Sequence, residues 1–222
     1  MAPPHARARA QVCELMLNEY SRRHFVDGRG LRLPVVAVRP GAPNAAATGA
    51  YSNAVREPLA GKAGSVVLPP DLKMPVTSYQ LAADNMIALM DVEQEVQPPP
   101  APPLRARRAP RPPPPPSHLS GRAPGPPCAR TQRLGIDRMY MQPSLSTDCA
   151  QLHAAARQLA AERRLPCGGL DVNVDPVATR IVGGMARATD GARARALGLR
   201  GDESAASIVQ LYARDNLPPA YR

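Results

Sequence analysis

Tryptophan is absent, phenylalanine occurs once and tyrosine six times, so aromatic residues make up only 3% of the 222 residues. A core cannot be organised around large rings and has to be assembled from Ala, Val, Leu, Ile and Met, which bury less area per residue. Lysine is almost missing: Lys62 and Lys73 are the only two, and the net charge of +10 is carried by arginine. Between Gln97 and Ile136 there is no acidic residue, yet seven arginines occur, at 105, 107, 108, 111, 122, 130 and 133. The excess charge therefore belongs largely to one segment. No aromatic interleaves with those arginines, which removes base stacking and leaves only charge as a route to nucleic acid. The four cysteines, Cys13, Cys128, Cys149 and Cys167, form no C-x-x-C pair and have no histidine at zinc-ligand spacing. They read as unpaired thiols of a reducing compartment, with no metal site. No apolar run approaches the roughly 20 residues that a membrane-crossing helix needs. The first ten residues carry Arg7 and Arg9 without an acid, but no apolar segment follows as in a secretory signal. A cytoplasmic location is expected, with a short organelle-import leader as the alternative.

Proline is abundant, at 28 residues, and fourteen of these lie between 97 and 127, including the run Pro112–Pro116. Proline fixes φ and removes backbone donors, so this stretch reads as an extended or disordered linker. It divides the chain into a disordered N-terminus (1–9), an α/β part (10–96), a Pro/Arg-rich linker that is mostly disordered (97–146) and a C-terminal lobe (147–217).

Hydrophobic spacing places a helix over 10–24, with Val12, Leu15, Met16 and Tyr20 on one inward face. Leu31–Val38 reads as a short buried strand with Pro34 near its start. Residues 39–50 form a loop leaving the carboxyl end of that strand, the edge at which open α/β sheets bind ligands. A helix follows over 51–59, then a strand over 65–68. Thr77 or Ser78 caps a helix reaching Met90, with Tyr79, Ala82, Met86 and Leu89 inward. Thr147 or Asp148 caps another, with Leu152, Ala155, Ala156 and Leu159 inward. A strand over 170–174 and a short helix over 190–197 follow. Asp202 is the candidate cap of the last helix, whose inward residues are Ile208, Leu211 and Tyr212.

Four ordered stretches carry a family resemblance: Cys13-Glu14-Leu15, the Phe25-Val26-Asp27-Gly28-Arg29 turn, Val38-Arg39-Pro40-Gly41-Ala42-Pro43-Asn44, and Arg56-Glu57-Pro58-Leu59. Together they resemble the D-erythronate dehydrogenase branch of the NAD-dependent epimerase/dehydratase family, the extended short-chain dehydrogenases. Ser78–Leu89, Arg180-Ile181-Val182 and Arg193–Leu199 are similar to later parts of that family. The resemblance implies an incomplete Rossmann-like parallel sheet, its C-terminal portion, with a small substrate-side lobe. It also implies NAD as cofactor and a small sugar acid as substrate. What the family uses for chemistry is not in these residues. Its Gly-rich first turn has no counterpart, and its Tyr-x-x-x-Lys pair would fall near Ala6 and Ala10, whereas no Tyr precedes Tyr20 and no Lys precedes Lys62.

The chain is thus expected to be inactive by itself, with no catalytic residue assigned. By resemblance, Asn44, Ser52, Arg56 and Arg180 are the substrate-binding candidates. Ser52 and Arg56 share a helix face at i and i+4, and an arginine fork suits a carboxylate. Pro40 and Gly41 are the cofactor-side candidates. The histidines are scattered and receive no role. A second reading makes the chain a non-catalytic adaptor whose Pro/Arg segment docks on an SH3-like partner. Uncovered helix faces and strand edges also lead to an expectation of self-association.

Overall fold

A computed structural model of the chain describes residues 4–42, 46–92, 134 and 137–218, without the side chains of residues 4–7. Asn44, Cys128 and the Pro/Arg-rich stretch with its SH3-type reading lie outside the described residues. Pro4 opens α1 (Pro4–Arg22). A proline at the first helical position forfeits no hydrogen bond, and the Ala/Arg run behind it is strongly helix-forming. The helix therefore starts within residues 1–9, which were expected to be disordered.

The orientation of α1 also differs from expectation. Val12, Leu15, Met16 and Tyr20 are 53%, 69%, 51% and 46% exposed. The helix leans on the rest of the molecule through a neighbouring stripe instead. Asn18 Oδ1 accepts the Arg138 N–H at 2.8 Å, and Ser21 Oγ accepts the Gly28 N–H at 3.1 Å. Leu17 packs so closely over Gly28 that a Cβ there would come within 2.5 Å of Leu17 Cδ1. The Phe25–Arg29 turn that follows is a structural clamp. Arg29 Nη1 donates to the carbonyls of Leu89 and Met90, both at 2.6 Å, and Asp27 pairs with Arg29 at 2.7 Å.

The single strand expected over 31–38 is divided into β1 (Gly30–Arg32) and β2 (Val35–Ala37). Pro34 between them has no N–H to place in a ladder, and the pairing partner changes across it. β1 pairs in parallel with β5 (Met139–Met141), and β2 pairs in parallel with β4 (Met74–Ser78). On its other side β4 pairs antiparallel with β6 (Leu145–Thr147), and β3 (Gly64–Val66) runs parallel with β7 (Leu170–Val172). All five residues of β4 are buried. The sequence conceals this strand because of Pro75, but pairing with β2 begins only at Val76. β5 and the first two residues of β6 lie within 97–146, the span expected to be mostly disordered; regular structure resumes at Met139, where an apolar Met-Tyr-Met run begins.

The helices are α2 (Ala50–Leu59), α3 (Tyr79–Asp91), α4 (Cys149–Glu162), α5 (Pro176–Gly183), α6 (Ala192–Ala196) and α7 (Ala205–Asn216). Side-chain caps set four of their starts: Ser78 for α3, Asp148 for α4, Asp175 for α5 and Ser204 for α7. Each accepts a first-turn N–H that has no partner within the helix. On α3 the buried stripe is Leu81, Ala82, Asn85 and Leu89, while Met86 is exposed. The main core joins β2, β3 and β4 to α2, α4 and α7. Nine of the buried apolar residues are alanines, and Ala54, Ala156, Ala160 and Ala213 in this cluster keep its helices thin where they pack. Tyrosines enter the core too, contrary to the expectation of a purely aliphatic one. Tyr51 is fully buried because its hydroxyl donates to Leu72 O at 2.6 Å, and Tyr140 anchors a second cluster with Leu89, Ala194 and Leu199.

Asp202 does not cap α7. Ser204 does, in a reciprocal capping box with Ser207. Asp202 instead reaches the end of β4, where its Oδ2 accepts from Thr77 Oγ1 at 3.0 Å and from the Ser78 N–H at 2.8 Å. Beside it Asn85 exchanges two bonds with the Arg200 backbone, at 2.7 and 3.1 Å. The C-terminal lobe is thus tied to the carboxyl end of β4 by buried polar groups. Replacing Asp202 with Ala strands Thr77 and Ser78 donors that are 0% and 1% exposed. Asp202→Ala should therefore cost about 2–4 kcal/mol, against about 1 kcal/mol for Ser204→Ala. Urea unfolding of the two variants checks the order.

Candidate functional site

The parallel pairing of β2 and β4 sets Ala37 opposite Ser78, so both strands end at one edge. Beyond β2 the backbone turns sharply. Val38 has φ 54, a left-handed conformation that costs a β-branched residue about 1–3 kcal/mol. Two things hold it there: Val38 is 1% exposed, and its N–H donates to Ser52 Oγ at 3.0 Å. Ser52 thus acts first as a backbone latch. Gly41 follows at φ 103, a region open to glycine, with nothing within 4 Å of where a Cβ would stand.

This turn and the first half of α2 enclose a cavity of about 150 Å³ lined by Arg39, Pro40, Ala42, Gly49, Ser52, Asn53 and Arg56. Three residues expected from the sequence are brought together there: Pro40, Ser52 and Arg56. Gly41 belongs to the same turn but does not line the cavity. Arg180 stands exposed on α5 and lines neither this cavity nor the larger one beside it. Asn44 falls outside the described residues. Arg39 and Asn53 were not singled out from the sequence. Arg39 had a signal, since it stands inside the Val-Arg-Pro-Gly motif directly after the strand.

Arg56 is firmly held. Its Nε donates to Glu57 Oε1 at 2.8 Å, Nη2 to Asn53 Oδ1 at 2.8 Å, and Nη1 to the Arg39 carbonyl at 3.1 Å. Asn53 in turn donates from Nδ2 to Ser65 O at 3.1 Å, fixing α2 to β3. A second cavity of about 510 Å³ adjoins this edge, and its walls include Pro34, Val35, Met74, Pro75, Met185 and Arg39. Arg39 thus belongs to the lining of both.

Two titratable groups of α4, the helix that packs against α2, are held in their neutral forms by burial. Burial pushes the Cys149 thiol up to about 12 and keeps it protonated. Burial lowers the His153 ring below the usual histidine range, with Nδ1 placed 3.3 Å from Ala54 O. No group of three or more His, Cys, Asp or Glu among the described residues could hold a metal ion. A dinucleotide needs successive backbone amides around its pyrophosphate. Here Gly41 and Gly49 stand singly, and the polar cavity is far smaller than NAD, so these residues do not form a complete NAD site.

No family model matches the chain. A D-erythronate dehydrogenase of Cupriavidus necator is 30% identical over 204 residues, 92% of this chain and 51% of that protein. A D-erythronate dehydrogenase of Haemophilus influenzae is 37% identical over 95 residues, 43% of this chain and 28% of that protein. The crystal structure of a nucleoside-diphosphate-sugar epimerase from Agrobacterium tumefaciens superposes with a TM-score of 0.71 at 26% identity, covering 97% of this chain and 52% of that one. A GalE-like L-threonine dehydrogenase from Cupriavidus necator, at 18% identity and a TM-score of 0.61, shares the fold. The chain is therefore similar to the NAD-dependent epimerase/dehydratase family of extended short-chain dehydrogenases. Within it, the similarity is to proteins named D-erythronate dehydrogenase, and the chain spans about half the length of the first of them.

The Ser52 latch makes a direct prediction. Ser52→Ala leaves the buried Val38 N–H without an acceptor, an expected loss of about 1–3 kcal/mol. That should lower Tm by about 2–4 °C per kcal/mol lost, read by calorimetry.

Proposed function

We propose that this chain is the substrate-side portion of an NAD-dependent sugar-acid dehydrogenase, and that its 222 residues alone do not turn over substrate. The observation that carries this reading is the polar cavity of about 150 Å³ at the carboxyl edge of the parallel β2–β4 pair, with two arginines in its lining. Its size suits a four-carbon acid such as the D-erythronate named for the relatives, and its charge suits a carboxylate. The chemistry NAD supplies when bound is acceptance of a hydride from a secondary alcohol. The residues of this chain bind the acid, orient its carbon chain and shape the rim. No tyrosine–lysine pair is present here to take the hydroxyl proton. Purified protein mixed with NAD and D-erythronate is expected to give no NADH absorbance while binding D-erythronate measurably by calorimetry. NADH formation would end the claim of inactivity, and an absence of binding would end the sugar-acid reading.

We infer in addition that the chain self-associates. The exposed Val12, Leu15, Met16 and Tyr20 stripe on α1, with Phe25 at 66% and Val26 at 48% exposure beside it, supports this. Light scattering should show a mass above that of one chain, and Leu15→Lys with Met16→Lys should shift it towards the monomer. A monodisperse wild-type monomer would contradict the inference.

A further inference from the structure

We propose that Arg39 is the residue that reads the negative charge of the ligand, and that Arg56 is a positioning residue that aims it. The proposal rests on reading the cavity as a sugar-acid site. The two arginines differ in what remains for a ligand. All three nitrogens of the Arg56 guanidinium already donate to protein acceptors, and Glu57 balances its charge at 2.8 Å, with both side chains largely buried (13% and 16% exposed). An anion arriving there would meet a neutral pair. Among the described residues the guanidinium of Arg39 makes no hydrogen bond or ion pair, so its charge and its fork of donors remain available.

The backbone around Arg39 is fixed as tightly as its side chain is free. Val38 before it is held left-handed by Ser52, its own carbonyl is held by Arg56 Nη1, and Pro40 after it has a fixed φ. Such an arrangement presents one free cation from a rigid mount. Arg39 also stands where the polar cavity meets the apolar one, so a carboxylate bound to it faces two different surroundings. Hydroxylated carbons would enter the smaller cavity, where Ser52 accepts from Val38 and keeps its own O–H to donate. The ligand class is a short hydroxylated monocarboxylate, recognised by charge at one end and by a hydroxyl donor beside it.

The test is calorimetric titration of the full chain with D-erythronate, with erythritol as its uncharged analogue, and with glycolate. The wild type should bind both acids and not erythritol, with affinity falling as salt rises. Arg39→Gln should lose about tenfold or more in affinity, abolish the salt dependence and leave Tm unchanged, whereas Arg39→Lys should keep part of the affinity because it keeps the charge but not the fork. Arg56→Gln should lower Tm as well as affinity while retaining the salt dependence. Equal affinity in Arg39→Gln and the wild type would overturn the proposal. Arg39-dependent binding of glycolate without binding of D-erythronate would uphold the Arg39 assignment and remove the sugar-acid reading. Silence with both acids would overturn both.

Discussion

Val35, Val36 and Ala37 pair with Val76, Thr77 and Ser78 in the same direction, and the buried polar contacts of Ser52, Thr77, Ser78 and Asp202 gather where those two strands stop. A parallel pair brings two carboxyl ends to one edge, and each needs its chain redirected there. β2 is redirected by the left-handed Val38, latched to Ser52. β4 is redirected by Ser78, which caps α3 while its N–H is held by Asp202. The two solutions have different effects. At β4 the polar groups satisfy one another and tie two parts of the chain together. At β2 they leave Arg39, beside a cavity, with no side-chain partner among the described residues.

The charge of the chain acquires meaning only through this sorting. An excess of arginine says little until each fork is followed to its acceptors. Arg29 caps α3, Arg138 sits beside Asp27, Arg193 pairs with Asp137 and lies 5.0 Å from the Tyr140 ring, and Arg56 is neutralised by Glu57. Among these pairs only Arg193–Asp137 is exposed on both sides, where such a pair adds little stability. Their effect is to hold turns in place and to withdraw their arginines from ligand binding.

Much of this was legible in the residues. The starts of α3 and α4 were visible because Ser78 and Asp148 precede apolar runs, and a helix was expected over 51–59, where α2 lies. The family motif Val38–Asn44 directed attention to the carboxyl end of β2. Three features were not legible, each for a physical reason. β4 carries Pro75, and only the partial overlap of its two ladders makes that tolerable. Asp202 has the spacing of a cap, but a longer-range bond to Thr77 and Ser78 is available to it, and local pattern cannot reveal a partner some 125 residues away. The stripe of α1 has the periodicity of a buried face, yet periodicity states which residues are alike, not which side the protein occupies. Within the site, Arg56 drew attention through its spacing from Ser52, whereas Arg39 had only its place in the Val-Arg-Pro-Gly motif, and that its guanidinium has no protein acceptor among the described residues is a property of the fold.

The uncovered side and the site are energetically separate. Two of the three sheets among the described residues hold only two strands, a size that is marginal without packing against helices. Burial is supplied by α2, α4 and α7 over β2, β3 and β4, where Val55, Leu152, Ile208 and Val209 are essentially inaccessible. Each such side chain contributes about 1.5–3 kcal/mol relative to an exposed one. The exposed stripe of α1 lies outside this cluster, whereas α2, which supplies Ser52, Asn53 and Arg56, lies at its centre. The rim around Arg39 is therefore mounted on the best-packed part of the molecule. Its geometry does not depend on covering the face of α1.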